Sequence, residues 1–143
     1  MTAARKDSGN LATLFVEKGL RATRARTTIL RLLMAADHAL SHTEVVHAVR
    51  KQGETFERVT LYRVLDWLVK NELAHKITGT DRMWRFSAQA RPLHNHAHFN
   101  CTRCGHVYCL ENLTPKKALK LPGGFQLQHA DVSIQGLCPH CSH

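Results

Sequence analysis

A chain of 143 residues suits one compact domain or two small ones, and units that small struggle to bury enough apolar surface unaided. Its 43% hydrophobic and 22% charged residues lie near globular averages, which excludes a mainly disordered chain. Twenty Lys and Arg against eleven Asp and Glu, a formal charge of +9, favour a polyanionic partner, either nucleic acid or an anionic membrane surface.

The first element is a short helix around Leu11 to Lys18, stopped by Gly19. From Thr23, the spacing of Ile29, Leu32, Leu33 and Ala36 predicts an amphipathic helix ending near Ala36-Asp37. Ser41 and Glu44 have capping-box spacing, and Val45, Val46 and Val49 supply the buried stripe of the helix they open, which stops at Gly53. The next helix runs from Arg58 to about Asn71 with Leu61, Val64, Leu65 and Leu68 on one side. Val59, Tyr62, Arg63, Asp66 and Lys70 fall on the other. Leu73 to Thr78 and Met83 to Ser87, joined by Gly79-Thr80-Asp81, read as a hairpin. From Thr23 on, three helices followed by a hairpin give the order of a winged helix-turn-helix, whose third helix enters the major groove of DNA.

Ala88 to Pro92 reads as a linker, because periodicity lapses and Pro92 breaks regular structure. The expected division is residues 1–88 for the winged helix and 89–143 for a second, α/β unit, an α+β chain overall. In the second unit Ala97 to Asn100 and His106 to Leu110 are expected strands, and Pro115 to Lys120 a short helix. Gly123-Gly124 makes a turn, and Phe125 to Leu137 holds one or two further strands.

No apolar run approaches the roughly 20 residues of a membrane helix, and the first residues lack the apolar core of a signal peptide, so a cytoplasmic location is expected. In a reducing compartment five cysteines point to metal rather than disulfides, and an odd number cannot all pair within one chain. Cys101-Thr-Arg-Cys104 and Cys138-Pro-His-Cys141 are two CxxC pairs. Together they offer the tetrahedral sulfur cage of a structural zinc, with no open position for catalysis. Such a Zn²⁺ would tie the end of the chain to the start of the second unit and contribute folding free energy.

His94-Asn-His96-Ala-His98 places three imidazoles at alternate positions just before Cys101. In an extended segment they share a face, and two could bind one ion. His75 on the hairpin and Cys109 on the following strand could complete a tetrahedron, and a thiolate in that set favours Zn²⁺ over Fe²⁺ or Mn²⁺. His129 has no partner fixed by spacing, and His38, His42, His47, His106, His140 and His143 receive no role.

Four ordered segments carry a resemblance to a known family. They are Gly19-Leu-Arg-Ala-Thr-Arg-Ala-Arg26, Thr60-Leu-Tyr-Arg-Val-Leu65, the His-x-His-x-x-Cys-x-x-Cys-Gly run from His96 to Gly105, and Gly136-Leu-Cys-Pro-His-Cys141. Over nearly its whole length the chain resembles the ferric uptake regulator family. The resemblance implies a winged helix, a hinge and an α/β dimerisation domain, with a regulatory metal setting the relative position of two winged helices on a palindromic operator. It implies Tyr62 and Arg63 near bases and Thr60 nearer the backbone, while Arg21, Arg24 and Arg58 are candidates for phosphate contacts.

Departures from the family pattern tilt the reading toward its zinc-sensing branch. The carboxylate of the iron-sensing His-His-Asp-His cluster is missing, because Ala97 cannot ligate. Cys109 stands where many relatives have Glu, and His75 lies where zinc-sensing relatives place a ligand. The linker cysteine of those relatives is absent, which leaves the fourth ligand open between His94 and Cys109. Glu57 replaces the usual Ser before the recognition helix and weakens its N-cap.

The expectation is a zinc-dependent homodimeric repressor of zinc-uptake genes with one structural and one regulatory zinc per chain, double-stranded DNA as partner, and no small-molecule substrate beyond the metal ion. An iron or peroxide sensor of the same family is the nearest alternative, and a redox switch through the CxxC thiols is a third. An enzyme, such as a small zinc hydrolase, would need a general base beside residues 94–109, and no such acid pairing or His-Glu-x-x-His helix occurs there.

Overall fold

Leu11 and Phe15, four residues apart, bury the same face of helix α1, residues 11–17. The helix closes where the Leu20 amide reaches back to the Phe15 carbonyl at 2.8 Å, a turn that needs the positive φ of 65° at Gly19. The computed structural model describes residues 11–88, 95–110, 119–128 and 130–142, with the backbone alone at Asn95, His96 and Asp131.

Helix α2 spans Arg24–Ala35 behind Thr23, whose hydroxyl accepts the Arg26 amide at 3.2 Å. Such a cap contributes about 1 kcal/mol. Helix α3, His42–Lys51, carries the full capping box: the Ser41 hydroxyl accepts the Glu44 amide at 3.2 Å, and the Glu44 carboxylate accepts the Ser41 amide at 3.1 Å. Helix α4, Arg58–Lys70, has Glu57 at its N-cap and no side-chain cap bond. Its buried residues are Leu61, Val64, Leu65 and Leu68, as the periodicity requires. These faces meet Ile29, Leu30, Leu33, Val45, Val49 and Phe86 in one apolar core.

Strand β1, Leu40–Ser41, pairs with β3, Trp84–Ala88, which pairs with β2, Ala74–Thr78, in the order β1-β3-β2. The two-residue β1 has no sequence signature, and its pairing of Leu40 with Phe86 closes the winged helix. The last ladder pair of the hairpin is Thr78 with Trp84, so the loop covers 79–83 rather than 79–81. Met83 leaves the strand because Arg82 adopts a φ of 64° and the Met83 amide turns to the Asp81 carboxylate at 3.1 Å.

The second sheet has β4, Asn95–Cys101, in the middle, antiparallel to β5, Val107–Leu110, and parallel to β6, Ala130–Gly136. Gly124, with φ of 93°, makes the expected turn ahead of β6. The expected helix at 115–120 falls largely outside the described residues, where Leu119 and Lys120 alone are seen and are irregular. The linker beyond Ala88, the 88/89 boundary, His94 and His129 also fall at or outside their edge.

The two sheets meet along a seam. Ala39, just before β1, donates its amide to the Val107 carbonyl at 2.7 Å on the outer edge of β5. Ala39, Ile77 and Val107 form a small buried cluster of their own. In β2, alternation sends Ala74 into the winged-helix core, while His75 and Ile77 are buried on the opposite face, toward the seam. No helix among the described residues is long and apolar enough to cross a membrane.

Candidate metal centre and nucleic-acid interface

The end of β4 and the chain beyond β6 bring Cys101, Cys104, Cys138 and Cys141 together, with one sulfur from each within 4.8 Å of the others. Cys104 and Cys138 have sulfurs 3.8 Å apart. A tetrahedral ion with sulfur bonds of about 2.3 Å sets that edge at about 3.8 Å, whereas a disulfide would need about 2.05 Å. The four thiols are therefore placed so that they could hold one zinc ion.

The knuckle backbone prepares the sulfurs for that charge. Amides of Cys104 and Cys138 point at the Cys101 sulfur at 3.5 and 3.4 Å, and these bonds push its pKa down to about 5. Cys141 is pushed up to about 12 by burial and by the neighbouring thiols. Four thiols packed this closely cannot all ionise alone, and a divalent cation removes the conflict. The parallel ladder of β4 and β6 runs from Asn95/Ala130 to Cys101/Gly136, directly into the cage.

The second set of predicted ligands is only partly placed. His98 in β4 is the direct cross-strand partner of Cys109 in β5, which puts both on one face of the sheet. His75 is buried and pairs across the hairpin with Ser87. A cleft between the two halves is lined by Leu33, Met34, His38, Ser87 and Cys109. Thus Ser87, on the face of His75, and Cys109, on the face of His98, open on the same cleft. His96 lies two residues before His98 in β4, while His94 is outside the described residues.

On the other side of the winged helix, Tyr62 and Arg63 are exposed on α4, as is Arg58, with Thr60 half-buried. Tyr62 rests edge-on against His42 at 4.3 Å. With Arg50, Arg58 and His47 it lines a shallow basic depression. Arg21 is exposed, but Arg24 is engaged by Glu54 at 2.6 Å, so a phosphate would have to compete with that carboxylate. Arg26, given no role by sequence reasoning, lies over the Trp67 ring at 3.7 Å.

Sequence reasoning also missed a cluster at the seam, where His38, Glu44 and His106 have ligand atoms within 4.8 Å of one another. These residues come from separate elements, and no spacing in the sequence signals their meeting.

The zinc uptake regulation protein of Escherichia coli K12 is 30% identical over 128 residues, which cover 87% of this chain and 75% of that protein. The transcriptional regulator FurA of Mycobacterium tuberculosis H37Rv is 34% identical over 126 residues, 86% of this chain and 84% of that one. Among solved structures, a zinc uptake regulator complexed with zinc and DNA matches with a TM-score of 0.70 at 25% identity, covering 98% of this chain and 95% of that chain. With a winged helix on one side and a sulfur cage on the other, the chain is a metal-responsive, DNA-binding transcriptional regulator. It belongs to the ferric uptake regulator family, which matches residues 17–135.

Proposed function

We propose that the chain is a zinc-responsive repressor of zinc-uptake genes, working in the cytoplasm as a homodimer on a palindromic operator. The observation that carries this reading is the cross-strand pair of His98 and Cys109, whose thiol lines a cleft with its opposite wall from the winged helix. A thiol beside imidazoles suits Zn²⁺ better than Fe²⁺ or Mn²⁺, which prefer carboxylates. The resemblance to a zinc uptake regulation protein points the same way.

His75 from the wing, with His96, His98 and Cys109 from the second unit, would supply the regulatory set, His94 being the alternative to Cys109 as fourth ligand. A bound ion would hold those side chains at fixed distances and so fix the wing against the sheet. Cys101, Cys104, Cys138 and Cys141 would hold the structural ion. In the dimer, α4 of each subunit would enter successive major grooves about 34 Å apart. Tyr62 and Arg63 would reach toward bases, with Thr60, Arg58, Arg24 and Arg21 toward the backbone. A coupling of roughly 1 to 3 kcal/mol between the cleft and DNA gives a 5- to 150-fold change in affinity.

The test is operator binding by protein whose cysteine cage is filled and whose second site is stripped, titrated with Zn²⁺ and separately with Mn²⁺. The duplex is one selected from a random pool by zinc-loaded protein. Affinity rising with Zn²⁺ at lower free concentration than with Mn²⁺ supports the reading. Equal affinity with and without metal rejects the switch, and a preference for Mn²⁺ rejects zinc as the signal.

A further inference from the structure

His38, in the turn between α2 and β1, is held on both ring nitrogens. Its Nδ1 lies 2.7 Å from the Asp37 carboxylate and its Nε2 lies 3.2 Å from Glu44 Oε2. Its face stacks on His106, with centroids 3.8 Å apart and planes within 5°. His106 immediately precedes β5, so the stack joins the winged helix to the second sheet beside the Ala39–Val107 bridge. Glu44 divides its oxygens: Oε1 accepts the Ser41 amide at the start of α3, and Oε2 faces His38. Burial works against its charge, but the Ser41 amide and the His38 ring outweigh it and keep the carboxyl below its usual range.

We propose that His38, Glu44 and His106 form a further divalent-cation site, of the class that takes Zn²⁺, clamping the start of α3 to the edge of the second sheet. Three features point to a metal rather than to an ordinary ion pair. The donor set, two imidazoles and a carboxylate, is one that binds Zn²⁺ and related first-row ions. The 3.2 Å between His38 Nε2 and Glu44 Oε2 is close to the edge of a tetrahedron built on bonds of about 2.0 Å. Asp37 supplies the outer partner that metal-bound histidines use: by accepting Nδ1–H it leaves the Nε2 lone pair for an ion. Asp37 is itself 3.7 Å from His140 Nε2 in the second cysteine knuckle, so the support for His38 reaches the structural cage.

Ligation requires the stacked rings to fan apart so that both lone pairs converge on one ion. Rotation about the terminal torsion of each imidazole accomplishes this, because that torsion is broad and soft. The site uses none of the residues assigned to the His75–Cys109 set, and it stands whether or not that set proves to be the zinc switch.

The experiment is a Co²⁺ titration of the full chain with its cage zinc retained, in a Cys109→Ser background, comparing the parent with His106→Gln, His38→Gln and Glu44→Gln. Gln at 44 keeps an acceptor for the Ser41 amide. The expected result is loss of one equivalent of Co²⁺ per chain in both histidine variants and at least tenfold weaker binding of that equivalent in Glu44→Gln. Helical content and cage zinc should be unchanged. Because no thiolate is involved, the same equivalent measured with Cys109 intact should show ligand-field absorption without a sulfur charge-transfer band. Equal stoichiometry and affinity in parent and variants overturns the proposal, as does a lost equivalent that carries the sulfur band. Should one histidine variant fail to fold, the other and Glu44→Gln decide.

Discussion

His98 and Cys109 stand directly opposite each other across β4 and β5, an imidazole and a thiol on one face of a sheet whose edge meets the winged helix. Replacing Cys109 with Ser keeps the size of the side chain and removes its soft ligand. The expected outcome is at least a tenfold loss of zinc-dependent operator affinity, read by fluorescence anisotropy, with the cage zinc retained on elemental analysis. Unchanged zinc dependence would remove Cys109 from the regulatory set.

Cys138→Ser tests the ion proposed for the cysteine cage. Among the described residues the second sheet buries few apolar side chains, chiefly Ala97, Val107 and Ala130, and structural zinc contributes on the order of 10 kcal/mol to the folding of small units. Loss of the cage is expected to melt the β4–β6 pairing while α1 to α4 stay folded on their own core. Hydrogen exchange would show protection lost at residues 97–101 and kept at 61–68.

Asp81 and Arg85 give the wing a pH dependence. Arg85 is buried and donates to both Asp81 oxygens at 2.8 Å, which holds the Asp81 carboxyl well below the usual range. A depressed carboxylate contributes its full stability above an unfolded pKa of about 4, and loses it as pH falls through the lower folded value. Asp81 is 44% exposed, so Asp81→Asn is expected to cost only about 1 to 2 kcal/mol near pH 7. In urea melts, the gap between the two proteins should stay constant down to about pH 4.5 and narrow below it.

A side chain at Gly79 would have to displace the Arg85–Asp81 pair. A methyl group there would collide with the Arg85 guanidinium and lie 3.2 Å from Val107 Cγ2. Gly79→Ala is expected to destabilise the wing by about 1 to 3 kcal/mol and to accelerate hydrogen exchange of the Ala39 amide, which bonds to Val107. An Ala39 amide as protected as before would show that the loop yields without moving the seam.

Arg63→Ala tests base reading on α4. If the guanidinium contacts a base, operator binding weakens by about 1 to 3 kcal/mol with a smaller effect on random duplex. An equal loss on both would assign Arg63 to the phosphates.

The helices were legible because their signals are local: the Ser41–Glu44 capping box, Gly19, and the Leu61–Val64–Leu65–Leu68 stripe all act within a few residues. The cage was legible because each CxxC is a self-contained knuckle, although its two halves lie 37 residues apart from Cys101 to Cys138. The seam was not. Ala39 meets Val107, and His38 meets His106, across a chain separation that leaves no trace in periodicity, and β1 is too short to alternate. The hairpin loop is longer than the Gly79-Thr80-Asp81 signal indicates because Arg82, not a glycine, takes the left-handed conformation.

The Ala39–Val107 bond covers part of the outer margin of β5, the edge strand of its sheet in the order β5-β4-β6. An uncovered margin offers a row of backbone donors and acceptors to any extended segment, including one from another molecule. A variant that lifts the winged helix away should therefore betray itself first by turbidity or by growth of large species in light scattering, before the helical signal declines.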